Sequence, residues 1–340
     1  MPEALRHELS DHVLDLRWSA QGRFLAAIPS QGPVVVFDAL GAKLRELPGH
    51  VGGNGSVAWH PLHDILTTYG QDAVIRSYSL PAGNLVHAFS LEKGWAERVA
   101  WNSSGTMLAA CVGKKLHVLD GVSGESRQVF SEHRSTVSDI VWHPSNADEI
   151  ASVCDGGAQL WKVGTESPIA RFDWGGASLR VYWSPDGRWI ITGDQTPSVH
   201  LYDVRADYPL HIQGFQTKVK SMAWQGSGEW LAVAGGPDVT LWPCSGKTGP
   251  EGVNPKQLNG HSAEVTALDF KPDGTCLASG GRDGLVLLWR PHQSKQPAVI
   301  ARSAVPISVV RWSPDGETLA FGTSGGQVLL FKLAAAVSSR

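Results

Sequence analysis

One aromatic position recurs through the whole chain and constrains the fold more than any other feature. It repeats every 41 to 46 residues, at Trp18, Trp59, Trp101, Trp142, Trp183, Trp224, Phe270 and Trp312. A second series, aromatic or leucine, follows about nineteen residues behind the first, at Phe37, Tyr78, Leu119, Trp161, Tyr202, Trp242, Trp289 and Phe331. A period of roughly 20 to 50 residues is typical of repeat architectures. The chain is therefore predicted to consist of eight similar units.

Each unit consists of short apolar runs separated by turn residues. In the seventh unit a Lys-Pro-Asp-Gly turn (271–274) precedes an apolar run (277–279), and a Gly-Arg-Asp-Gly turn (281–284) precedes a β-branched run (285–289). Short runs between Gly, Pro and Asp turns are typical of β-hairpins rather than helices. We expect an all-β protein in which each unit supplies strands a, b, c and d in chain order.

The repeats resemble those of the WD-repeat (WD40) family over nearly the whole chain. The family's Gly-His signal is present at Gly49-His50 and Gly260-His261, and His133 occupies the same place in its unit. The Trp-Asp pair itself is absent, and Trp161-Lys162 and Trp289-Arg290 stand in its position. The resemblance implies a single closed β-propeller, because a ring of blades protects the edges of each blade.

We expect eight blades, with the last blade completed by an N-terminal strand within residues 3–9. The alternative is a seven-bladed propeller with one unit left outside. The whole chain, 1–340, is expected to form one domain. The expected blades are 13–48, 55–90, 96–131, 137–173, 178–214, 219–259, 265–302, and 307–332 together with 3–9.

The resemblance also implies a buried hydrogen-bond network in some blades. It links a His before strand a, a Ser or Thr on strand b, an Asp in the b–c turn and an aromatic residue on strand c. Three units carry matching residues: His50, Thr68, Asp72 and Tyr78; His133, Ser152, Asp155 and Trp161; and His261, Ser279, Asp283 and Trp289. The other five units have different residues at the His position, and we expect their blades to depend on packing alone.

Composition and motifs exclude several functions. The net charge is −3 and the isoelectric point about 6.5, which argues against a protein that mainly binds nucleic acid. The first residues contain no apolar run, and no stretch of 18 apolar residues occurs, so neither a secretory signal nor a spanning helix is expected. The four cysteines lie far apart without a Cys-x-x-Cys pair, so we expect free thiols and a cytoplasmic location.

No sequence motif for catalysis is present. There is no Gly-x-Ser-x-Gly, no nucleotide-binding fingerprint and no His spacing typical of a metal site. We therefore expect no enzyme, no catalytic residue, no metal and no cofactor.

The resemblance implies that partners bind at the face that carries the b–c turns and the d–a linkers around the central channel. Aromatic residues and arginine are over-represented among interface hot spots. Trp95 is the strongest single candidate, because an exposed Trp there would have no obvious structural role. The candidates are Trp95, Lys93, Arg134, Lys218, Arg282, Gln71, Gln195, Glu264 and His12.

These residues favour a non-enzymatic scaffold or adaptor that binds proteins through this face. The expected partner is a protein or peptide, with no membrane, no major role for nucleic acid, and a chain that is monomeric by itself. Two alternatives use the channel mouth: a propeller enzyme, or an accessory protein for a small ligand, a metal or nucleic acid. Fold alone does not decide between them.

Overall fold

A computed structural model describes residues 5–92, 96–206, 209–291 and 293–333, and every regular element in them is a β-strand. The strands of the first half are β1 (Leu5–Glu8), β2 (Val13–Trp18), β3 (Phe24–Pro29), β4 (Val34–Asp38), β5 (Lys43–Leu47), β6 (Asn54–Trp59), β7 (Ile65–Gly70), β8 (Val74–Ser79), β9 (Asn84–Ser90), β10 (Ala96–Trp101), β11 (Met107–Val112), β12 (Lys115–Asp120), β13 (Ser126–Phe130), β14 (Asp139–Trp142), β15 (Glu149–Lys162) and β16 (Ala170–Trp183). Those of the second half are β17 (Trp189–Asp194), β18 (Ser198–Asp203), β19 (Pro209–Gln213), β20 (Ser221–Trp224), β21 (Trp230–Ala234), β22 (Val239–Pro243), β23 (Lys256–Leu258), β24 (Val265–Phe270), β25 (Leu277–Gly281), β26 (Leu285–Arg290), β27 (Ser294–Arg302), β28 (Ile307–Trp312), β29 (Thr318–Thr323) and β30 (Gln327–Lys332).

The repeated Ser-Pro-Asp-Gly turns join strands a and b, and their residues explain why. Ser184 accepts backbone N–H groups from Arg188 and Trp189 at 3.1 and 2.8 Å, and the N–H of Gly187 donates to the Ser184 carbonyl at 2.9 Å. Gly187 has a φ of 67°, a conformation that only glycine adopts without strain. Asp186 also accepts the backbone N–H of Arg188, at 3.1 Å, so the Asp helps to hold this turn.

The strands fall into two compact units, which we call the terminal unit (residues 1–48 and 221–340) and the central unit (residues 49–220). The prediction that the whole chain is one domain stays a prediction. In the terminal unit the sheets have the strand orders β2-β3-β4-β5, β20-β21-β22-β23, β24-β25-β26-β27 and β1-β30-β29-β28. Neighbouring sheets share apolar cores; Val286 of one sheet and Val310 and Phe321 of the next are all buried in one cluster.

The N-terminal strand completes the last sheet of the terminal unit. β1 pairs antiparallel with β30, with Leu5 opposite Leu330 and Glu8 opposite Gln327. This pairing covers an edge of β30 that would otherwise expose a row of unpaired backbone groups. The prediction that residues 3–9 supply this strand is confirmed for Leu5–Glu8.

The central unit contains two four-stranded sheets, β6-β7-β8-β9 and β10-β11-β12-β13, and one six-stranded sheet, β14-β15-β16-β17-β18-β19. β15 and β16 each run for 14 residues. β15 combines the b and c strands of the fourth repeat, and β16 combines its d strand with the a strand of the fifth. The fourth and fifth repeats therefore share one sheet.

The described strands thus form seven hydrogen-bonded sheets rather than eight, and the prediction of eight separate blades was wrong. Seven is the number that the alternative gave. The physical reason is the pairing through β15 and β16: Asp155 pairs with Ala177 where a loop between two blades was expected. The sequence pattern gives the number of repeats, but it does not show that the strands of the fourth and fifth repeats join one sheet.

Candidate functional site

The predicted network of the seventh repeat is fully formed. The His261 ring contacts Asp283 through Nδ1 at 3.0 Å and Ser279 through Nε2 at 2.8 Å. Trp289 Nε1 donates to the same Ser279 hydroxyl at 2.8 Å. If His261 is neutral with its proton on Nδ1, it donates to Asp283 and accepts from Ser279, so every member of the chain is satisfied. Such a network stiffens the sheet that carries the loops.

The Asp283 carboxylate anchors both loops at this end of its sheet. Besides the His261 ring, it accepts the backbone N–H groups of Ser262 at 2.9 Å and Leu285 at 3.1 Å. Burial alone would raise the pKa of Asp283, but these hydrogen bonds outweigh burial and lower it. The charged carboxylate is therefore the form that holds the b–c turn to the d–a linker.

The network of the fourth repeat has three of its four predicted members. His133 Nε2 lies 2.8 Å from Ser152 Oγ, and Trp161 Nε1 donates to the same oxygen at 2.8 Å. His133 Nδ1 lies 3.0 Å from the carbonyl of Lys114 instead of an aspartate. The prediction of Asp155 as a member was wrong, because Asp155 is exposed and paired in strand β15 with Ala177.

The network of the second repeat has exchanged one member. His50 contacts Asp72 at 2.7 Å and Thr68 at 2.9 Å, as predicted. The Thr68 hydroxyl donates to the carbonyl of Arg76 at 3.4 Å, and no described bond joins it to Tyr78. The prediction of Tyr78 as fourth member was therefore wrong. A tyrosine hydroxyl lies at the far end of its ring, whereas the indole N–H of a tryptophan projects from the side of the ring, towards the hydroxyl on strand b. The guanidinium of Arg76 joins instead, 2.9 Å from Asp72.

Two further networks were missed by sequence reasoning, which expected packing alone in their repeats. In the third repeat Glu92 lies 3.3 Å from the His117 ring and 2.8 Å from Lys115 Nζ. In the fifth repeat the fully buried Asp194 contacts His200 at 2.7 Å. Both place the histidine on strand c and the carboxylate on a loop or at the end of strand b. A search for His on strand c would have found them.

In each sheet the b–c turns and the d–a linkers meet at one end, which we call the loop end. Backbone bonds join the two: the N–H of Arg282 donates to the Glu264 carbonyl at 2.8 Å, and that of Gln195 donates to the Ala177 carbonyl at 2.8 Å. The N–H of Gln71 likewise donates to the Gly53 carbonyl at 3.0 Å. The candidate residues are thus presented on a fixed backbone.

In the terminal unit the candidates are Arg282, Glu264 and His12. Arg282 and Glu264 form an ion pair of 2.6 Å across the loop end, and 60% of the Arg282 side chain is exposed. Exposed ion pairs contribute little stability, so this arginine is available to a partner at small cost. His12 is half-buried, and its carbonyl accepts the N–H of Ser30 at 2.8 Å.

In the central unit the described candidates are Arg134, Lys218, Gln195 and Gln71. Arg134 is 67% exposed and lies 3.9 Å from the exposed Asp173. Lys218 and Gln195 are exposed, and Gln71 is half-buried. Lys93 and Trp95 lie outside the described residues, so the aromatic candidate stays a prediction.

No cluster of three His, Cys, Asp or Glu side chains that could hold a metal ion occurs in the described part of the chain. No disulfide joins the four cysteines, all of which are described and buried, and burial raises the pKa of the Cys111 thiol to about 12. Within the described ranges no helix has the length and apolar character needed to cross a membrane.

Comparison with known proteins agrees with this geometry. The family model described as "WD domain, G-beta repeat" matches residues 124–162, 176–203 and 252–290. THO complex subunit 3 of Arabidopsis thaliana is 26% identical over 56% of this chain and 61% of its own length. APC/C activator protein CDH1 of Saccharomyces cerevisiae is 24% identical over 85% of this chain and 45% of its own length.

A further relative is cell division cycle 20.1, cofactor of APC complex, from Arabidopsis thaliana, 24% identical over 84% of this chain and 56% of its own length. The chain thus spans about half the length of these curated relatives. Over these three matched stretches the chain is similar to WD-repeat proteins.

Proposed function

We propose that the chain is a non-enzymatic scaffold or adaptor that binds a protein or peptide partner through the loop ends of its sheets. The supporting observation is the pair of stiffened loop ends that display exposed arginines, Arg282 in the terminal unit and Arg134 in the central unit. Arginine is enriched at interface hot spots. Its planar guanidinium can donate two parallel hydrogen bonds to one carboxylate.

The relatives support this class of function. Their names describe an activator, a cofactor and a subunit of larger complexes rather than enzymes. The partner of this chain is a protein or peptide surface with carboxylates that complement the exposed arginines, and a cytoplasmic location stays a prediction.

Quantitative pull-down with tagged full-length protein tests the proposal. Arg282→Glu, Arg134→Glu and Lys218→Glu each reverse a charge at a loop end. The matched control is Lys332→Glu, because Lys332 is also 67% exposed and also lies 3.9 Å from a carboxylate, that of Glu317. Lys332 pairs with Thr318, at the opposite end of its sheet from the b–c turn.

We expect a near-stoichiometric protein partner with the unmodified chain and the control. At least one loop-end variant should reduce its recovery by about tenfold, a loss of about 1.4 kcal/mol. Recovery of no partner, or equal loss with Lys332→Glu, contradicts the proposal. Binding of nucleic acid with a steep salt dependence would favour the alternative function.

A further inference from the structure

The six-stranded sheet contains an aromatic and titratable cluster that the proposed function does not use. Asp194 ends β17, His200 lies on β18 and His211 on the outer strand β19. The two imidazole rings are stacked, with centroids 4.1 Å apart and planes 9° from parallel. We call Asp194, His200 and His211 the stack.

The base of the stack is a saturated, buried carboxylate. Asp194 has no exposed surface and receives the hydroxyls of Ser178 at 2.8 Å, Thr192 at 3.0 Å and Ser198 at 3.2 Å. His200 Nδ1 lies 2.7 Å from its second oxygen. A buried carboxylate is costly unless it is paired, and His200 is the cation-forming partner that the structure places against it.

The top of the stack is the exposed imidazole of His211. Gln213 Nε2 lies 2.7 Å from His211 Nδ1 and donates to it, which leaves the His211 proton on Nε2. Loss of solvation, followed by the neighbouring His200, lowers the pKa of His211, and Asp194 opposes this more weakly. A proton arriving on Nδ1 removes the acceptor that Gln213 uses.

The surroundings offer little to compensate a positive charge on His211. Trp174 of β16 packs on both rings, 4.5 Å from His200 and 5.9 Å from His211, and Tyr202 of β18 stacks on His200 at 5.8 Å. Asp173 of β16 is 68% exposed and faces Arg134. Asp194 of β17 is already bonded by four donors. Asp207 and Tyr208, just before β19, lie outside the described residues.

The geometry points to an acid-sensitive latch: the stack holds the outer strand β19 on β18 near neutral pH and releases it when His211 gains a proton. The proton enters at Nδ1, removes the acceptor of the Gln213 hydrogen bond and places a positive charge on a ring 4.1 Å from that of His200. β19 is five residues long and ends the strand order of its sheet, so the ladder to β18 and this ring contact are what hold it there. The inference does not depend on the proposed function.

The direction of the pH effect follows from linkage. The folded protein binds the His211 proton less readily than the unfolded chain does. The stability of β19 is therefore full above the ordinary histidine pKa of about 6.5 and falls as the pH drops below it. This behaviour is a local opening, which amide exchange resolves strand by strand.

Hydrogen exchange with mass spectrometry on the full chain tests the latch at about pH 7.5 and about pH 5, corrected for intrinsic rates. The reference strand is β5, an outer strand of the same length whose partner β4 contains no histidine. The variant His211→Phe keeps an aromatic ring that cannot be protonated. His87→Phe is its control, because His87 is also stacked on an aromatic ring of an outer strand, Phe89.

In the unmodified protein and in His87→Phe, we expect the ratio of amide protection in β19 to that in β5 to fall about tenfold or more at the lower pH. In His211→Phe the same ratio should stay within about twofold of its value at the higher pH. An unchanged ratio in the unmodified protein overturns the latch, as does an equal fall in His211→Phe. If His211→Phe does not fold, NMR titration of the unmodified protein tests the latch instead. Protonation of His211 without faster exchange of the β19 amides would overturn the latch.

Discussion

The buried histidines differ in what their second ring nitrogen contacts, and this difference makes single-residue predictions possible. His261 contacts a carboxylate at 3.0 Å, whereas His133 contacts a backbone carbonyl at the same distance. Both bond a serine with the other nitrogen. A carboxylate can be removed by mutation and a carbonyl cannot.

Asp283→Ala should lower the free energy of unfolding by about 1–3 kcal/mol, because it leaves the His261 ring and two backbone N–H groups without their acceptor. Asp155→Ala is the matched control at the equivalent position of the fourth repeat, where the side chain is exposed. Urea denaturation of both variants measures the difference. Equal losses would contradict the role assigned to Asp283.

His133 should make the protein sensitive to moderate acid. Burial lowers the pKa of His133 to about 4, whereas an unfolded histidine titrates near 6.5. Since the unfolded chain binds this proton first, the free energy of unfolding should fall by about 3 kcal/mol between about pH 6.5 and pH 4.

Denaturation across this pH range, compared with His133→Gln, isolates the effect. His133→Gln should be less stable at neutral pH, because it loses the hydrogen bonds of the His133 ring. Its free energy of unfolding should change less with pH than that of the unmodified protein. His87→Gln, at a half-buried position, serves as control and should keep the slope of the unmodified protein. A slope unchanged in His133→Gln would show that other groups cause the acid sensitivity.

At the scale of elements, β1 is the strand whose contribution is easiest to separate. It comes from one end of the chain and completes a sheet formed by the other end. Deleting residues 1–8 should expose the β30 edge and lower the melting temperature by about 5 °C or more.

A synthetic peptide of residues 1–10 supplied in excess should restore part of that loss, because it can re-form the pairs from Leu5–Leu330 to Glu8–Gln327. The same peptide with Arg6→Pro serves as control, since proline removes a backbone donor and disrupts strand pairing. A truncated protein that melts like the full chain would show that β1 contributes no stability.

The strand pattern was largely predictable from sequence, but the separation of sheets was not. Alternating apolar runs and Pro-Asp-Gly turns predicted the hairpins, and residues 3–9 were expected to supply the strand that completes the last sheet. The Asp-Gly-Gly sequence at 155–157 reads as a turn, and Gly156 and Gly157 do have positive φ values, but Asp155 also pairs with Ala177 of the d–a linker. Such a pairing depends on contacts between two repeats, which a pattern within one repeat does not contain.

The same limit applies to the candidate residues. The His, Ser and Trp members of the networks follow local spacing and were found, whereas Arg76 and the Asp194–His200 pair arise from cross-strand neighbours. Positions at the loop ends follow from strand order alone, which is why Arg282 and Glu264 lie together as expected.

At the scale of the whole molecule, the proposed function assigns the repeats the role of presenting loop ends. Each four-stranded sheet places its b–c turn and the preceding d–a linker side by side, and backbone bonds such as that from Arg282 to Glu264 fix them. Recognition by a rigid surface costs little ordering entropy on binding. This is the physical advantage of a repeat scaffold over a flexible adaptor.

Cross-linking mass spectrometry of the chain with its captured partner tests the scaffold proposal most directly. Lys114 lies in the turn between β11 and β12, and Lys218 follows β19, both at loop ends, whereas Lys247 and Lys332 lie at the opposite ends of their sheets. We predict that partner peptides join to Lys114 or Lys218. Partner cross-links confined to Lys247 and Lys332 would contradict binding through the loop ends.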